Sequence, residues 1–249
     1  MMVPAYDDNA TAERVWWRPR RIGWWMAVLF AVGSLCFVVA ALGAQWASSS
    51  RPAIAVTFFV GSIFFTGAAL IQYWQADKSE RPFGFRRRGG HLRPSTWQAR
   101  RVDWLAALVQ LAGTVLFNIS TFAALKHNLT THQINARVWA PDVFGSAAFL
   151  ISSAVAFAEY CGRWIALRPR SLSWWIVAIN LLGSIAFGVS AVASLVEPSS
   201  GEPISARVTN AGTWIGGVCF LVGALLLMPE AARAQAPTPQ RQSSRGMSR

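Results

Sequence analysis

The chain has 249 residues, of which 53% are apolar and only 14% are charged. Soluble domains carry about 25% charged residues, so this composition excludes an ordinary soluble fold. The formal charge of +12 does not indicate nucleic-acid binding, because the basic residues gather between apolar segments. Three cysteines exclude a disulfide framework, and no metal site or cofactor is predicted.

Six apolar segments follow one another along the chain. Each is long enough to cross a bilayer, since about 20 helical residues span a hydrocarbon core of about 30 Å. None has the polar face that a helix of a soluble bundle needs. We therefore predict an all-α integral membrane protein with six transmembrane helices, near residues 22–44, 53–73, 102–125, 141–160, 172–196 and 211–231.

The first segment has an alternative interpretation as a cleaved signal peptide, because arginines precede it and small residues follow it. It carries the same motif as the other five segments, however. A cleaved peptide has no reason to share a packing pattern, so we expect this segment to be retained as the first span.

The basic residues alternate between the loops. Of 23 lysines and arginines, 4 precede the first span, 8 lie between the second and third, 3 between the fourth and fifth, and 4 in the tail. The other loops hold only Arg51, Lys126, Arg137 and Arg207. Because basic loops stay in the cytoplasm, both termini are predicted to be cytoplasmic. Arginine supplies 21 of the 23, which is typical of a GC-rich bacterial genome.

Each segment contains a glycine followed four residues later by phenylalanine. A small residue follows the glycine directly, and another lies three residues beyond the phenylalanine. Four positions held six times indicate an internal repeat. Short and long spacings alternate between successive glycines, which groups the spans as three homologous helical hairpins at 20–76, 100–161 and 171–232. The pairs are Gly33/Phe37, Gly61/Phe65, Gly113/Phe117, Gly145/Phe149, Gly183/Phe187 and Gly216/Phe220.

Four segments lie outside these hairpins. Residues 1–19 are predicted to be flexible, and the Pro/Gln/Ser/Arg-rich residues 233–249 to be disordered. Residues 77–99 form a basic cytoplasmic loop broken by glycine and proline, and residues 162–170 form a shorter one.

The hairpins resemble the bacterial YrhK-like membrane domain, a two-helix unit whose helices carry patterns such as the FVGSIFF of residues 59–65. The resemblance covers three tandem copies. It implies a membrane-helix architecture, and it implies no activity and no catalytic residue.

The repeated motif marks one stripe of each helix. Because a helix repeats about every 3.6 residues, the phenylalanine and the second small residue both fall on the face that carries the glycine. Small residues let helix backbones approach one another in lipid, so we interpret the stripe as a packing seam. The alternative is a ring of glycines that lines a pore.

Polar residues within the spans are the first candidates for a functional site. Gln110 and Asn180 each lie three residues before a motif glycine, and Asn118 follows Phe117. They form hydrogen bonds between helices in one interpretation and contact a substrate in the other.

Two acids occupy equivalent positions. Glu159 and Glu230 each lie fourteen residues after a motif glycine, about 21 Å along the helix. They are predicted to lie at the cytoplasmic interface, near Arg163 and Arg233, with a cation or proton site as the alternative.

Three tryptophans also recur, nine residues before a motif glycine. Nine residues turn a helix by about 180° from the glycine, so Trp24, Trp104 and Trp174 are predicted to face lipid.

The basic loop has two interpretations. In the first, its positive charge determines the topology of the chain in the membrane. In the other, Arg86, Arg87, Arg88 and Arg93 bind the headgroups of anionic lipid, the partner that such clusters attract. A homo-oligomer or a protein partner is also compatible with the sequence.

Two functions therefore stay open. The first is a non-enzymatic membrane protein with a structural, partner-binding or lipid-sensing role. The second is a small-solute or ion transporter built from internal repeats. A polar cavity lined by Gln110, Asn118 and Asn180 would favour the second, and a dry interior the first. An enzyme is disfavoured, since the sequence has no P-loop or nucleophile elbow, and His127 and His132 are a weak metal signature.

Overall fold

A computed structural model describes residues 21–46, 50–78, 96–161 and 171–233, without the side chains of 96–101 and 231–233. The predicted flexible segments at both ends, Arg86, Arg87, Arg88 and Arg93 of the basic loop, and the short loop 162–170 lie outside these residues.

The described part of the chain is helical apart from its connections, and one isolated β-bridge joins Val196 to Pro203. It contains six helices long and apolar enough to cross a membrane, which confirms the prediction of a multi-pass membrane protein. We number them α1 (Ile22–Gln45), α2 (Arg51–Lys78), α3 (Thr96–Ala123), α4 (Thr131–Cys161), α5 (Leu172–Ala193) and α6 (Ala206–Arg233).

Helix α4 begins well before its predicted start at residue 141. A capping box starts it: the Thr130 hydroxyl accepts from the Gln133 N–H, and the Gln133 side chain accepts from the Thr130 N–H. A π-helical turn at Asn135–Trp139 then precedes Pro141. Proline has no N–H to donate to the fourth carbonyl behind it, and the wider turn accommodates that missing bond within a continuous helix.

The helices form a closed ring. Each packs against the next in chain order, and α6 packs against α1. The outer surface carries apolar side chains such as Leu35, Ile119 and Val189, as lipid contact requires.

A cluster of six buried phenylalanines, which we call the Phe hexad, fills the centre of the ring. Rings from α1, α3 and α5 form one triangle with centroids 5.7–6.4 Å apart, and rings from α2, α4 and α6 form a second with centroids 5.7–6.2 Å apart. Three shorter contacts of 5.1–5.4 Å join the triangles. The members are Phe37, Phe65, Phe117, Phe149, Phe187 and Phe220.

The hexad divides the bundle in two. The terminal half holds the start of α1 and the end of α6, and the loop half holds the connections 124–130 and 194–205.

Two of the repeated tryptophans contradict the prediction that they face lipid. Trp24 and Trp174 are buried, whereas their neighbours Trp25 and Trp175 are exposed, and Trp104 is half-buried. In a closed ring each helix has neighbours on two sides. The face opposite one neighbour therefore lies beside the other neighbour, and only the outward face meets lipid.

Candidate binding cavity

The motif glycines face one another in pairs. A β-carbon at Gly33 would lie 3.0 Å from the carbonyl oxygen of Gly61, and one at Gly61 would lie 3.1 Å from that of Gly33. Carbon atoms normally pack at about 3.5–4.0 Å, so neither position has room for a side chain. The same facing pairs, at 3.0–3.3 Å, are Gly113/Gly145 and Gly183/Gly216.

A phenylalanine of the partner helix covers each glycine. A β-carbon at Gly113 would lie 2.9 Å from the ring of Phe149, and one at Gly145 would lie 3.2 Å from that of Phe117. The glycines therefore bring two backbones together and seat the hexad, and they line no pore.

The residue after each motif glycine lies toward a different neighbouring helix from the one that the glycine contacts. The Ser62 hydroxyl on α2 lies 2.9 Å from that of Thr121 on α3, and the Ser184 hydroxyl on α5 lies 2.7 Å from that of Ser153 on α4. A β-carbon at Gly217 on α6 would lie 2.9 Å from Val38 on α1. The motif glycine and the residue after it thus serve the two contacts, with different neighbours, that close the ring.

A cavity of about 160 Å³ lies in the terminal half, between all six helices. Three hexad rings, Phe65, Phe149 and Phe220, form its wall toward the loop half. A cavity of about 150 Å³ accepts one benzene molecule, which sets the scale of what fits. The remaining wall combines small and apolar residues with seven polar ones: Gln72, Asp103, Gln110, Ser152, Ser153, Asn180 and Glu230.

Hydrogen bonds position several of these polar groups. The Ser152 hydroxyl is 3.1 Å from Oε1 of Gln110 and 2.9 Å from the carbonyl oxygen of Ala106. The Ser173 hydroxyl donates to the carboxylate of Glu230. The Asn180 side chain lies against Gly223, where a β-carbon would be only 2.6 Å from Oδ1. The walls therefore present oriented oxygen acceptors.

Three residues proposed from the sequence meet in this cavity: Gln110, Asn180 and Glu230. Asn118 does not. It lies between α3 and α2, where it donates to the Thr66 hydroxyl at 2.7 Å, so its contact is one between helices. Glu159 is half-buried near the end of α4 and does not line the cavity. The side chains of Arg163 and Arg233 lie outside the described residues.

The sequence analysis did not identify Asp103, which lies near the start of the third predicted span. It lines the cavity together with Gln110, seven positions further along α3. Residues seven apart share a helix face, so this spacing was the available signal. Asp103 and Ser173 each lie ten residues before the motif glycine of their helix.

The described lining of the cavity contains two acidic residues. Asp103 and Glu230 are carboxylates, and among the described residues no lysine, arginine or histidine lines the cavity. The described part of the chain also has no group of three or more His, Cys, Asp or Glu side chains that could hold a metal ion.

Comparison with known proteins gives no relative. No protein-family model, no curated protein and no solved structure matches the chain. The resemblance to YrhK-like domains therefore stays a prediction.

Proposed function

We propose that this chain is a small-solute transporter of the cell membrane, built from three related hairpins with both termini in the cytoplasm. The observation that carries the proposal is the polar cavity inside the ring of helices. Polar and ionisable side chains are costly within a membrane, and those that face an interior cavity mark substrate pathways.

The three hairpins are supported by the pairing of the motif glycines. Each close approach joins helices that are adjacent in sequence: α1 with α2, α3 with α4, and α5 with α6. The two phenylalanine triangles repeat this grouping, because each triangle takes one ring from every pair. Internal repeats are a common way to build a transporter.

A purely structural role fits the cavity less well. Protein interiors are packed as densely as organic crystals, and a bundle that served only as a scaffold would fill its centre. In this chain the Phe hexad separates the loop half from the terminal half, where the cavity of about 160 Å³ lies. The Phe hexad would then act as the barrier between them, because hydrophobic constrictions block the passage of water and ions.

The role of the cavity is testable by cysteine accessibility. In a background lacking Cys36, Cys161 and Cys219, Ala107→Cys places a thiol on the cavity wall. Ala69→Cys is the matched control, since Ala69 is equally buried but lies outside the cavity. In membrane vesicles, a small methanethiosulfonate reagent should modify Ala107→Cys from the cytoplasmic side only.

The control should stay unmodified from both sides. If Ala107→Cys is as unreactive as Ala69→Cys, the cavity is closed to solutes and the transporter proposal is wrong. Modification of Ala107→Cys from the outside alone would contradict the proposed topology instead.

A further inference from the structure

We propose that the loop half holds a second binding site for the solute, equivalent to the cavity, and that the Trp139 side chain occupies this second site in the present structure. The solute of both sites is then a small aromatic molecule with a hydrogen-bond donor, the chemistry that the indole group offers. This inference rests on the proposed function and deepens it.

The first step is a two-fold relation between the two halves of the bundle. On the terminal side, the Ser152 hydroxyl of α4 donates to the Ala106 carbonyl of α3 at 2.9 Å. On the loop side, the Ser120 hydroxyl of α3 donates to the Val138 carbonyl of α4 at 2.8 Å. Both serines follow a motif glycine by seven residues, and both carbonyl groups precede one by seven. The two contacts are therefore the same contact with α3 and α4 exchanged.

The relation extends to the neighbouring helices. The Ser62 hydroxyl of α2 pairs with Thr121 of α3, and the Ser184 hydroxyl of α5 pairs in the same way with Ser153 of α4. Each pair joins the residue one after a motif glycine to the residue eight after another. Exchanging α3 with α4 thus also exchanges α2 with α5. Inverted repeats of this kind are the common basis of alternating access in transporters, so each residue of the cavity wall has a counterpart in the loop half.

The second step is the counterpart of Ala107. Ala107 lines the cavity six residues before its motif glycine, and Trp139 lies six residues before the motif glycine of α4. The small methyl group leaves space in the terminal half, whereas the loop half has a large indole at the same position. The Trp139 N–H donates at 2.9 Å to the carbonyl oxygen of Ala191 on α5, a residue that is 1% exposed. The indole therefore reaches the interior of the ring, where the second site is expected.

The third step is a polar group on the same helix that has no assigned role. Asp142 is the counterpart of Gln110, since each lies three residues before a motif glycine. Gln110 accepts from the Ser152 hydroxyl, whereas the half-buried Asp142 makes no hydrogen bond or ion pair with a described residue. It lies seven residues before Phe149 and so shares the helix face of that hexad ring. An ionisable side chain on an interior face of a span marks a solute pathway.

The fourth step is the chemistry of the solute. An indole combines a flat apolar ring with one N–H donor. The cavity offers partners for both features, in three rings of the hexad and in the amide oxygens of Gln110 and Asn180. Aromatic rings attract one another in edge-to-face and offset arrangements, and amide oxygens accept from N–H or O–H. The cavity volume of about 160 Å³ limits the solute to about the size of benzene.

The experiment measures thiol reactivity in membrane vesicles, in the background that lacks the three native cysteines. Ser120→Cys is the reporter, because its counterpart Ser152 lines the cavity. Ser190→Cys is the matched control, because Ser190 is equally buried but its counterpart Ala68 does not line the cavity. Trp139→Ala should raise the reactivity of Ser120→Cys from the outside at least about tenfold and leave that of Ser190→Cys unchanged.

Two further variants of Trp139 separate the effect of its ring from that of folding. Trp139→Phe keeps a ring at the site and removes only the N–H donor, so Ser120→Cys should stay slow. Thermal unfolding shows whether Trp139→Ala is folded. If it is not, Trp139→Leu, which empties only part of the site, takes its place.

Phenol and toluene test the class of solute, because they have the same size and differ in one hydroxyl donor. Phenol should protect Ala107→Cys when Trp139 is present, and Ser120→Cys in the Trp139→Ala variant. Because toluene cannot donate a hydrogen bond, protection by phenol should need a free concentration about fivefold lower.

Two outcomes contradict this inference, and neither decides the proposed function. If Trp139→Ala leaves Ser120→Cys as unreactive as Ser190→Cys, the loop half has no second site. If phenol protects the two thiols no better than toluene does, the aromatic solute with a donor is wrong. In both cases the proposed function depends on the reactivity of Ala107→Cys alone.

Discussion

The polar side chains of the two halves of the bundle differ in their surroundings. In the loop half, polar side chains form hydrogen bonds within the protein. The Asn135 side chain both donates to and accepts from the backbone of Val196. The indole N–H of Trp139 donates to the carbonyl oxygen of Ala191. In the terminal half, polar side chains line the cavity. Under the proposed function, the loop half contributes stability and the terminal half binds the solute.

The largest expected effect comes from the boundary between the halves. Phe149 is 1% exposed and contacts three other rings of the hexad. Phe149→Ala should lower the free energy of unfolding by about 3–5 kcal/mol, since it removes a core ring and leaves a hole. The midpoint of thermal unfolding in detergent measures the change. A loss below about 1 kcal/mol would mean that the hexad is not the core of the bundle.

The next largest loss of stability is expected at the glycine pairs. Gly113→Leu should cost about 1–3 kcal/mol or more, because its β-carbon would lie 3.1 Å from the carbonyl oxygen of Gly145. Gly188→Leu is the control, since a β-carbon there meets nothing within 4 Å. The midpoint of thermal unfolding should be clearly lower for Gly113→Leu than for Gly188→Leu. Equal stability of the two variants would mean that the motif glycines are not needed for the close approach of the helices.

The third largest loss of stability is expected from the polar groups that form hydrogen bonds in the loop half. Asn135→Ala removes two hydrogen bonds to Val196, of 2.7 and 3.1 Å, and should cost about 1–2 kcal/mol. Asn210→Ala is a suitable control, because Asn210 makes an exposed bond of 3.4 Å to Gln45. If both variants unfold like the parent protein, the loop half is not stabilised by these contacts.

The polar lining of the cavity should matter least for stability. Gln110→Leu removes one acceptor of the Ser152 hydroxyl, which keeps the Ala106 carbonyl at 2.9 Å. We expect the free energy of unfolding, measured by thermal unfolding, to change by less than about 0.6 kcal/mol. A loss as large as that of Asn135→Ala would indicate that the lining is structural, and the contrast between the halves would disappear.

The sequence by itself determined the six helices and the stripe that packs them. Hydropathy and length are local properties, so they identified every span, and the helical period placed Gly113, Phe117 and Ser120 on one face. Gln110, Asn180 and Glu230 were proposed as site residues because they are polar residues of apolar spans at repeated positions relative to a motif glycine. The early start of α4 was missed because Pro141 looked like a helix boundary and the capping box at Thr130 lies in a polar segment.

Only the tertiary structure decided which faces meet. Periodicity identifies a face of a helix but not the helix that it contacts, and the closure of α6 on α1 joins the last span of the chain to the first. That closure gives α1, which carries the buried Trp24, a second neighbour in α6. It also brings Asp103 and Glu230 to opposite walls of one cavity. Each of these outcomes depends on contacts between distant segments, which no local pattern encodes.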